Sequence, residues 1–361
     1  MSDVRALLVT DVVDSTRLIN TLGDEASAAL WTAHDRIARD LLRDWRGREI
    51  DKTDGFLLLF SAAQDALGYA HAYHRAIAGL DPPLKARAGL HVGAVVLREN
   101  PAADVAMGAK PVEVEGMAKP IAARVMSLAG EGQTLLTETA AHGLDAGNRL
   151  RCHGHWRLKG VPQAVELFEA PGGSATAVPT ETPKAYRVAL QGDVWVPVRE
   201  MAHGLRAERD AFIGRRELLP EIGRRIDEGA RLVSLIGIGG CGKTRLALRF
   251  AWESLGEFPG GAWFCDLTAA RNADGIVHAA ADSLHVPLGK EDATAQIGNA
   301  IASRGRCLVI LDNFEQVAQH ADETLGRWLN CAGDAVFIVT TRDVLGIAGE
   351  QTLAVAPLLP A

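Results

Sequence analysis

Two parts of the sequence carry residues whose types and spacing suit phosphate chemistry. The first is "GIGGCGKT", Gly237 to Thr244, which fits the pattern G-x-x-x-x-G-K-[ST]. Gly237, Gly239, Gly240 and Gly242 have no Cβ, so the backbone there can wrap a phosphate closely and present its N–H groups. The loop follows the apolar run "RLVSLIG" and opens "TRLALRFAWESL". A bound phosphate would therefore meet a helix N-terminus and its positive dipole end. Lys243 would bridge the β- and γ-phosphates, and the Thr244 hydroxyl would join a Mg²⁺ shell. Downstream, "RCLVILDNFEQV" ends an apolar run in Asp312, a second candidate metal carboxylate, and "AVFIVTTRD" ends another in Arg342, placed to sense a γ-phosphate. A Gly-rich turn with two ordinary strand ends is the plainer alternative. Three pieces in this order, each on an expected strand, argue against it.

The second part lies near the N-terminus. "LLVTDVVDSTRL" ends an apolar run in Asp11, and "IDKTDGFLLLF" places Asp54 at the turn of an expected hairpin. If the first strand pairs with that hairpin, the two carboxylates meet at adjacent strand ends. Such a pair, with backbone N–H groups at "VVDST", would hold Mg²⁺ or Mn²⁺ carrying a triphosphate. By residue type alone, two Asp at strand ends also cap turns and helices, and that alternative stands beside the metal one.

These residues must be positioned by the surrounding elements. Residues 1–170 read as strand, helix, hairpin, helix, strand, the order of a ferredoxin-like α+β sandwich. The helix after "DSTRL" is expected to be one long element with Ala29, Ala33, Ile37 and Leu41 on its buried face. "RCHGHW" reads as a solvated turn, and His91 in "GLHVG" as a hydrogen-bonded structural histidine. Residues 170–184, "APGGSATAVPTETPK", have linker composition. Residues 171–207 are read as a linker containing a short hairpin around "QGD". From 208 to 361, strands alternate with helices, the signature of an α/β domain with a parallel sheet.

Composition sets outer limits. With 361 residues, two domains are expected. A net charge of −7 gives no general nucleic-acid footprint, and no apolar run approaches bilayer length. The N-terminus lacks the features of a signal peptide. Five cysteines without metal-ligand spacing suit reduced thiols, hence a cytoplasmic location without membrane partners.

The later half resembles the STAND class of P-loop NTPases, the signal-transduction ATPases with numerous domains. The matching residues are "FIGRREL" (Phe212, Gly214, Arg215 and Glu217), "GIGGCGKT", "LDN" and "TTR". The resemblance implies an ATP site with Arg215 in a box near the adenine, and nucleotide exchange used as a conformational switch. Where related ATPases place a catalytic Glu after the Asp, this chain has Asn313, which implies slow hydrolysis. The family continues into a winged-helix region and a sensor array, neither of which is visible here.

Residues 5–170 resemble a class III adenylyl or guanylyl cyclase catalytic domain. The resemblance rests on "LLVTDVVDSTRL", "DGFLLLF", "GLHVGAVV", "EGMAKPIAARVMSLA", "GQTLLTETA" and "RLKGVPQAVELFEA". It implies two metal ions at Asp11 and Asp54, Arg124 on the α-phosphate, Lys159 on the terminal phosphates, and head-to-tail homodimers. ATP or GTP would be cyclised with release of pyrophosphate. Three positions depart from the family pattern. The purine-selecting position is Ile50, with Lys52 in a different register; the partner Asp is Glu113; and the transition-state Asn is Pro120. Losing one such donor raises a barrier by about 2.7–4 kcal/mol, roughly 10²–10³ in rate. Three functions are therefore carried forward: a slow cyclase gated by an ATP switch, a degenerate cyclase-fold scaffold with an active P-loop switch, and a transcription regulator.

Overall fold

A computed structural model describes residues 3–145, 147–170, 178–182, 184–208 and 210–357. Most of the expected linker's Gly/Ser/Thr run, 171–177, lies outside them. The chain divides into two compact units, Met1–Arg187 and Val188–Ala361.

The first unit runs β1 (Asp3–Val12), α1 (Ser15–Leu22), α2 (Asp24–Asp44), β2 (Arg48–Lys52), β3 (Phe56–Phe60), α3 (Ala63–Ile77), β4 (Ala86–Glu99), α4 (Ala102–Ala106), β5 (Val112–Glu115), α5 (Ala118–Leu128), β6 (Thr134–Thr137), α6 (Glu138–Ala141), β7 (Arg151–Leu158) and β8 (Val165–Glu169). Its strands lie in the order β7-β8-β6-β4-β1-β3-β2, with β5 paired to β4. β1 is central and antiparallel to both β3 and β4, as the ferredoxin-like order requires. Leu7 and Leu8 of β1 are fully buried. Their side chains point to opposite faces, so both faces of the sheet are covered.

Two local expectations are corrected. The first long helix is broken at Gly23, whose φ of 78° places α1 and α2 on separate axes. The buried face of α2 is Leu30, His34, Ala38 and Leu42, one residue on from the expected stripe; Ala29 is exposed. The offset follows from His34, a polar residue whose ring is buried because Tyr73 Oη lies 2.7 Å from its Nε2. "RCHGHW" is not a solvated turn but part of β7. There His153 is buried against Glu169 at 2.8 Å and Trp156 is buried in the core.

The hairpin β9 (Ala185–Gln191) and β10 (Val194–Pro197) turns at Gly192 and carries the chain across the division between the units. The second unit continues with β11 (His203–Gly204), α7 (Leu218–Asp227), β12 (Leu232–Ile236), α8 (Lys243–Ser254), β13 (Ala262–Asp266), α9 (Ala273–Leu284), α10 (Ala293–Ala302), β14 (Leu308–Asp312), α11 (Arg327–Cys331), β15 (Val336–Thr341) and β16 (Glu350–Ala354). Six strands in the order β11-β13-β14-β15-β12-β16 pair in parallel throughout. β14 is buried on both faces, which is why "LVILD" shows no alternation of polar and apolar residues. No helix among the described residues is long and apolar enough to cross a membrane.

Candidate functional site

In the first unit, chain pairing brings the two predicted carboxylates together. β1 pairs with β3 through Val9 and Leu57, and the turn before β3 lies against the end of β1. Gly55 makes this approach possible, because a Cβ there would stand 1.9 Å from the Thr10 carbonyl oxygen. The Thr10 side chain adds a lock by accepting a hydrogen bond from Phe56 N at 3.0 Å.

Asp11 and Asp54 line one pocket of about 590 Å³, together with Ser15, Arg17, Asn20 and Arg87. Arg87 donates twice to Asp11 Oδ2, from Nε at 2.9 Å and Nη2 at 2.6 Å. The Ser15 hydroxyl donates to Asp54 Oδ2 at 2.7 Å. Each carboxylate keeps its Oδ1 outside these bonds. Sequence reasoning missed Arg87; the signal was an arginine opening "RAGLHVG", an otherwise apolar β-run, directly across from Asp11 in the β1–β4 register.

Arg124 and Lys159 do not line that pocket. Arg124 lies against the turn that follows Lys159: its guanidinium sits 3.8 Å from where a Cβ on Gly160 would be. Pro120 falls in the first turn of α5, where its missing N–H costs the helix nothing. Ile50 sits at a bulge in β2, 7% exposed and packed in a cluster with Leu7, Leu57, Leu59 and Val114. Lys52 pairs with Asp35 at 2.9 Å. Glu113 stands opposite Arg98 on β5. His91 lies on β4, 2.9 Å from the Thr137 hydroxyl, and burial pulls its pKa down to about 4.

In the second unit, the loop Gly237–Gly242 connects β12 to α8, which begins at Lys243. Gly240 and Gly242 have φ of 75° and 92°, a region costly for residues with a Cβ. Lys243 is buried and donates to its own loop, to Gly237 O at 2.7 Å and Ile238 O at 3.1 Å. Thr244 Oγ1 donates to Asp312 Oδ1 at 2.7 Å, and Thr340 Oγ1 donates to the same oxygen at 2.6 Å. Burial pushes the Asp312 carboxyl up, and these two hydroxyls oppose the shift.

β15 lies between β12 and β14, so Arg342 at its end stands between loop and carboxylate. Arg342 Nη2 is 3.4 Å from where a Cβ on Gly239 would be. Arg215 also lies against the loop: its Nη1 is 2.4 Å from where a Cβ on Gly242 would be, and Nη2 donates to Ala356 O at 2.6 Å. Val355 N donates to Ile236 O at 2.7 Å, so the chain leaving β16 runs alongside the loop.

This second site is that of a P-loop NTPase domain. Residues 225–346 match the family model described as an AAA domain. Among curated proteins, the chain is 29% identical over 156 residues to an uncharacterized protein of Mycobacterium tuberculosis, covering 43% of this chain and 39% of that one. It is 31% identical over 122 residues to a protein of the same organism described as an HTH-type transcriptional regulator, covering 34% of this chain and 14% of that one. The chain thus spans well under half the length of these relatives. Among solved structures, an adenylate cyclase of Trypanosoma brucei is similar at 21% identity and a TM-score of 0.43, covering 48% of this chain and 91% of that one. The guanylyl cyclase Cya2 is similar at 20% identity and a TM-score of 0.41, covering 50% and 98%.

Proposed function

We propose that the chain is a signalling protein that handles nucleoside triphosphates at two sites. The first unit converts ATP or GTP slowly to the 3′,5′-cyclic nucleotide and pyrophosphate. The second binds ATP as a STAND-type switch. The observation carrying the first part is the shared pocket of Asp11, Asp54 and Arg87.

The residues of that pocket fit a hard divalent cation. Their donors are carboxylate oxygens, and no cluster of three His, Cys, Asp or Glu suited to a metal is found among the described residues. Mg²⁺ is commonly held by one or two carboxylates, with substrate phosphates and water completing the shell. Bound there, the metal would lower the pKa of the ribose 3′-hydroxyl and polarise the triphosphate. Asp11 and Asp54 are the residues that would hold it. Arg87 neutralises Asp11 before substrate arrives and then turns to phosphate oxygens. An ion pair this exposed contributes about 1 kcal/mol or less, so the exchange is cheap. Arg124 balances charge on the α-phosphate and Lys159 holds the terminal phosphates. Since neither lines the pocket of Asp11 and Asp54, the reading includes a homodimer whose second copy supplies them. At the second site, Lys243 would exchange its two loop carbonyls for phosphate oxygens, Thr244 and Asp312 would hold Mg²⁺, and Arg215 and Arg342 flank the loop.

A second reading, a cyclase-fold scaffold without cyclisation, is favoured by Ile50. Its side chain is committed to an apolar cluster, so it offers nothing to a purine edge. In either case control of transcription is the output suggested by the relative described as a regulator.

Purified protein incubated with Mn²⁺ and ATP or GTP tests the choice, with products identified by mass spectrometry. A cyclic product that disappears in Asp54→Ala supports the cyclase. Bound Mn²⁺ and no product from either purine leaves the scaffold.

A further inference from the structure

The second unit contains a carboxylate that the phosphate site does not use. Glu315 lies in the 3₁₀ turn Phe314–Gln316, directly after the end of β14. Its Oε2 is buried and accepts no hydrogen bond among the described residues. Its Oε1 faces Arg342 Nε at 3.4 Å. Arg342 also approaches Gly239, so a single guanidinium separates Glu315 from the phosphate loop. A buried acceptor left without a donor costs about 1–3 kcal/mol. Such a group needs an explanation, and a ligand that completes it is one.

The neighbouring polar groups are already engaged. Asp312 Oδ1 accepts from both Thr244 and Thr340. Asn313, which occupies the place where related ATPases carry a catalytic Glu, donates from Nδ2 to Thr268 Oγ1 at 2.9 Å and to Asp312 Oδ2 at 3.2 Å. A neutral amide cannot accept a proton at ordinary pH. Glu315 can.

We infer that Glu315 is the general base for hydrolysis of the triphosphate held by the loop, with Arg342 as its gate. This rests on the reading of Gly237–Thr244 as a nucleotide site. When a γ-phosphate arrives, Arg342 leaves Glu315 for phosphate oxygens and uncovers the carboxylate. The oxygen of a water then bonds to the γ-phosphorus while the bond from that phosphorus to the β–γ bridging oxygen breaks. The bridging oxygen leaves with the nucleoside diphosphate and keeps the bonding electron pair. The water proton passes to Glu315 and from there to the released phosphate, which restores the carboxylate. Hydrolysis therefore does not require an acid at position 313; the base is supplied three residues after Asp312.

The test uses the full chain, Mg²⁺ and ATP under single-turnover conditions, alongside a binding measurement with a fluorescent ATP analogue. Glu315→Gln is expected to bind ATP within about threefold of the parent and to hydrolyse it at least 100-fold more slowly, the lower end for loss of a general base. Acid quench of the variant should then recover ATP, where the parent yields ADP. Glu315→Asp should restore part of the rate. Hydrolysis by Glu315→Gln at the parental rate overturns the inference, as does a parent that binds ATP tightly and never turns it over. A parent that fails to bind ATP overturns the nucleotide-site reading itself, and this inference with it. If Glu315→Gln does not fold, Glu315→Asp decides: a rate at least tenfold below the parent with ATP binding unchanged supports the base, and a rate equal to the parent's rejects it.

Discussion

The two phosphate sites are built on opposite principles. In the second unit the cradle is main chain: the glycines of Gly237–Gly242 shape the loop, and Lys243 is already folded over it through Gly237 O and Ile238 O. In the first unit the site is made of side chains from separate strands, with Asp11 on β1, Asp54 in the β2–β3 turn and Arg87 on β4. The backbone-built site is local in sequence and fits a short motif. The side-chain-built site exists only after the strands pair, and its other candidate cations, Arg124 and Lys159, lie outside its pocket. One unit thus carries its phosphate grip complete within one loop. The other holds the acidic part and leaves much of the basic part elsewhere.

The comparison can be broken most directly at Lys243. Lys243→Ala should weaken ATP binding by at least 100-fold, about 3 kcal/mol for a charged contact to phosphate, measured by titration with a fluorescent analogue. Unchanged affinity would mean that the loop is an ordinary turn, and the contrast would lose one side.

A smaller effect tests how the first site depends on pairing. Gly55→Ala forces a Cβ onto the Thr10 carbonyl, a backbone contact that no side-chain rotation relieves. It should cost the first unit about 1–3 kcal/mol in urea denaturation and should weaken Mn²⁺ binding, followed by electron paramagnetic resonance. Retained Mn²⁺ affinity would show that the two acids do not depend on this close approach.

Arg87→Ala sharpens the contrast further. Removing the guanidinium should tighten Mn²⁺ binding in the absence of nucleotide by a few-fold and weaken triphosphate binding by about tenfold, since one charged contact is lost. Both affinities moving the same way would contradict the exchange of Arg87 between Asp11 and phosphate.

The mildest difference concerns pH. His91 titrates at about 4 in the folded chain against an ordinary value near 6.5. Between those values the unfolded chain binds more protons, so the contribution of His91 is full above about 6.5 and is lost as pH falls toward 4. Asp312 is shifted upward, so acidification acts on it in the opposite sense. Hydrogen exchange at pH 7 and pH 5, corrected for intrinsic rates, should show β4 losing protection while β14 does not. His91→Gln should reduce the loss in β4 and leave the part due to His74, whose pKa burial also pulls down to about 4.

The legibility of each region follows from the same contrast. Four strands of the parallel sheet, β12 to β15, stand out as apolar runs because burial on both faces removes polar residues from them. The phosphate loop was visible because its function lies in consecutive backbone units. β7 was missed because His153 and Trp156 sit within a polar-looking string, and the Glu169 that accommodates His153 belongs to β8. The face of α2 was misplaced by one residue because a hydrophobic count gives no credit to His34, whose burial depends on Tyr73 from α3. Arg87 and Glu315 were missed for a related reason. Each takes its meaning from a partner distant in sequence, Asp11 for one and Arg342 with Gly239 for the other.

The way β16 ends has a mechanical consequence. Val355 donates to the last residue of β12, and Ala356 accepts from Arg215, whose guanidinium rests on Gly242. The polypeptide emerging from the sheet is thereby harnessed to the rim of the nucleotide cradle at two successive residues. A rearrangement of that rim on filling or emptying would pull directly on the emerging strand, with no intervening element to absorb the movement.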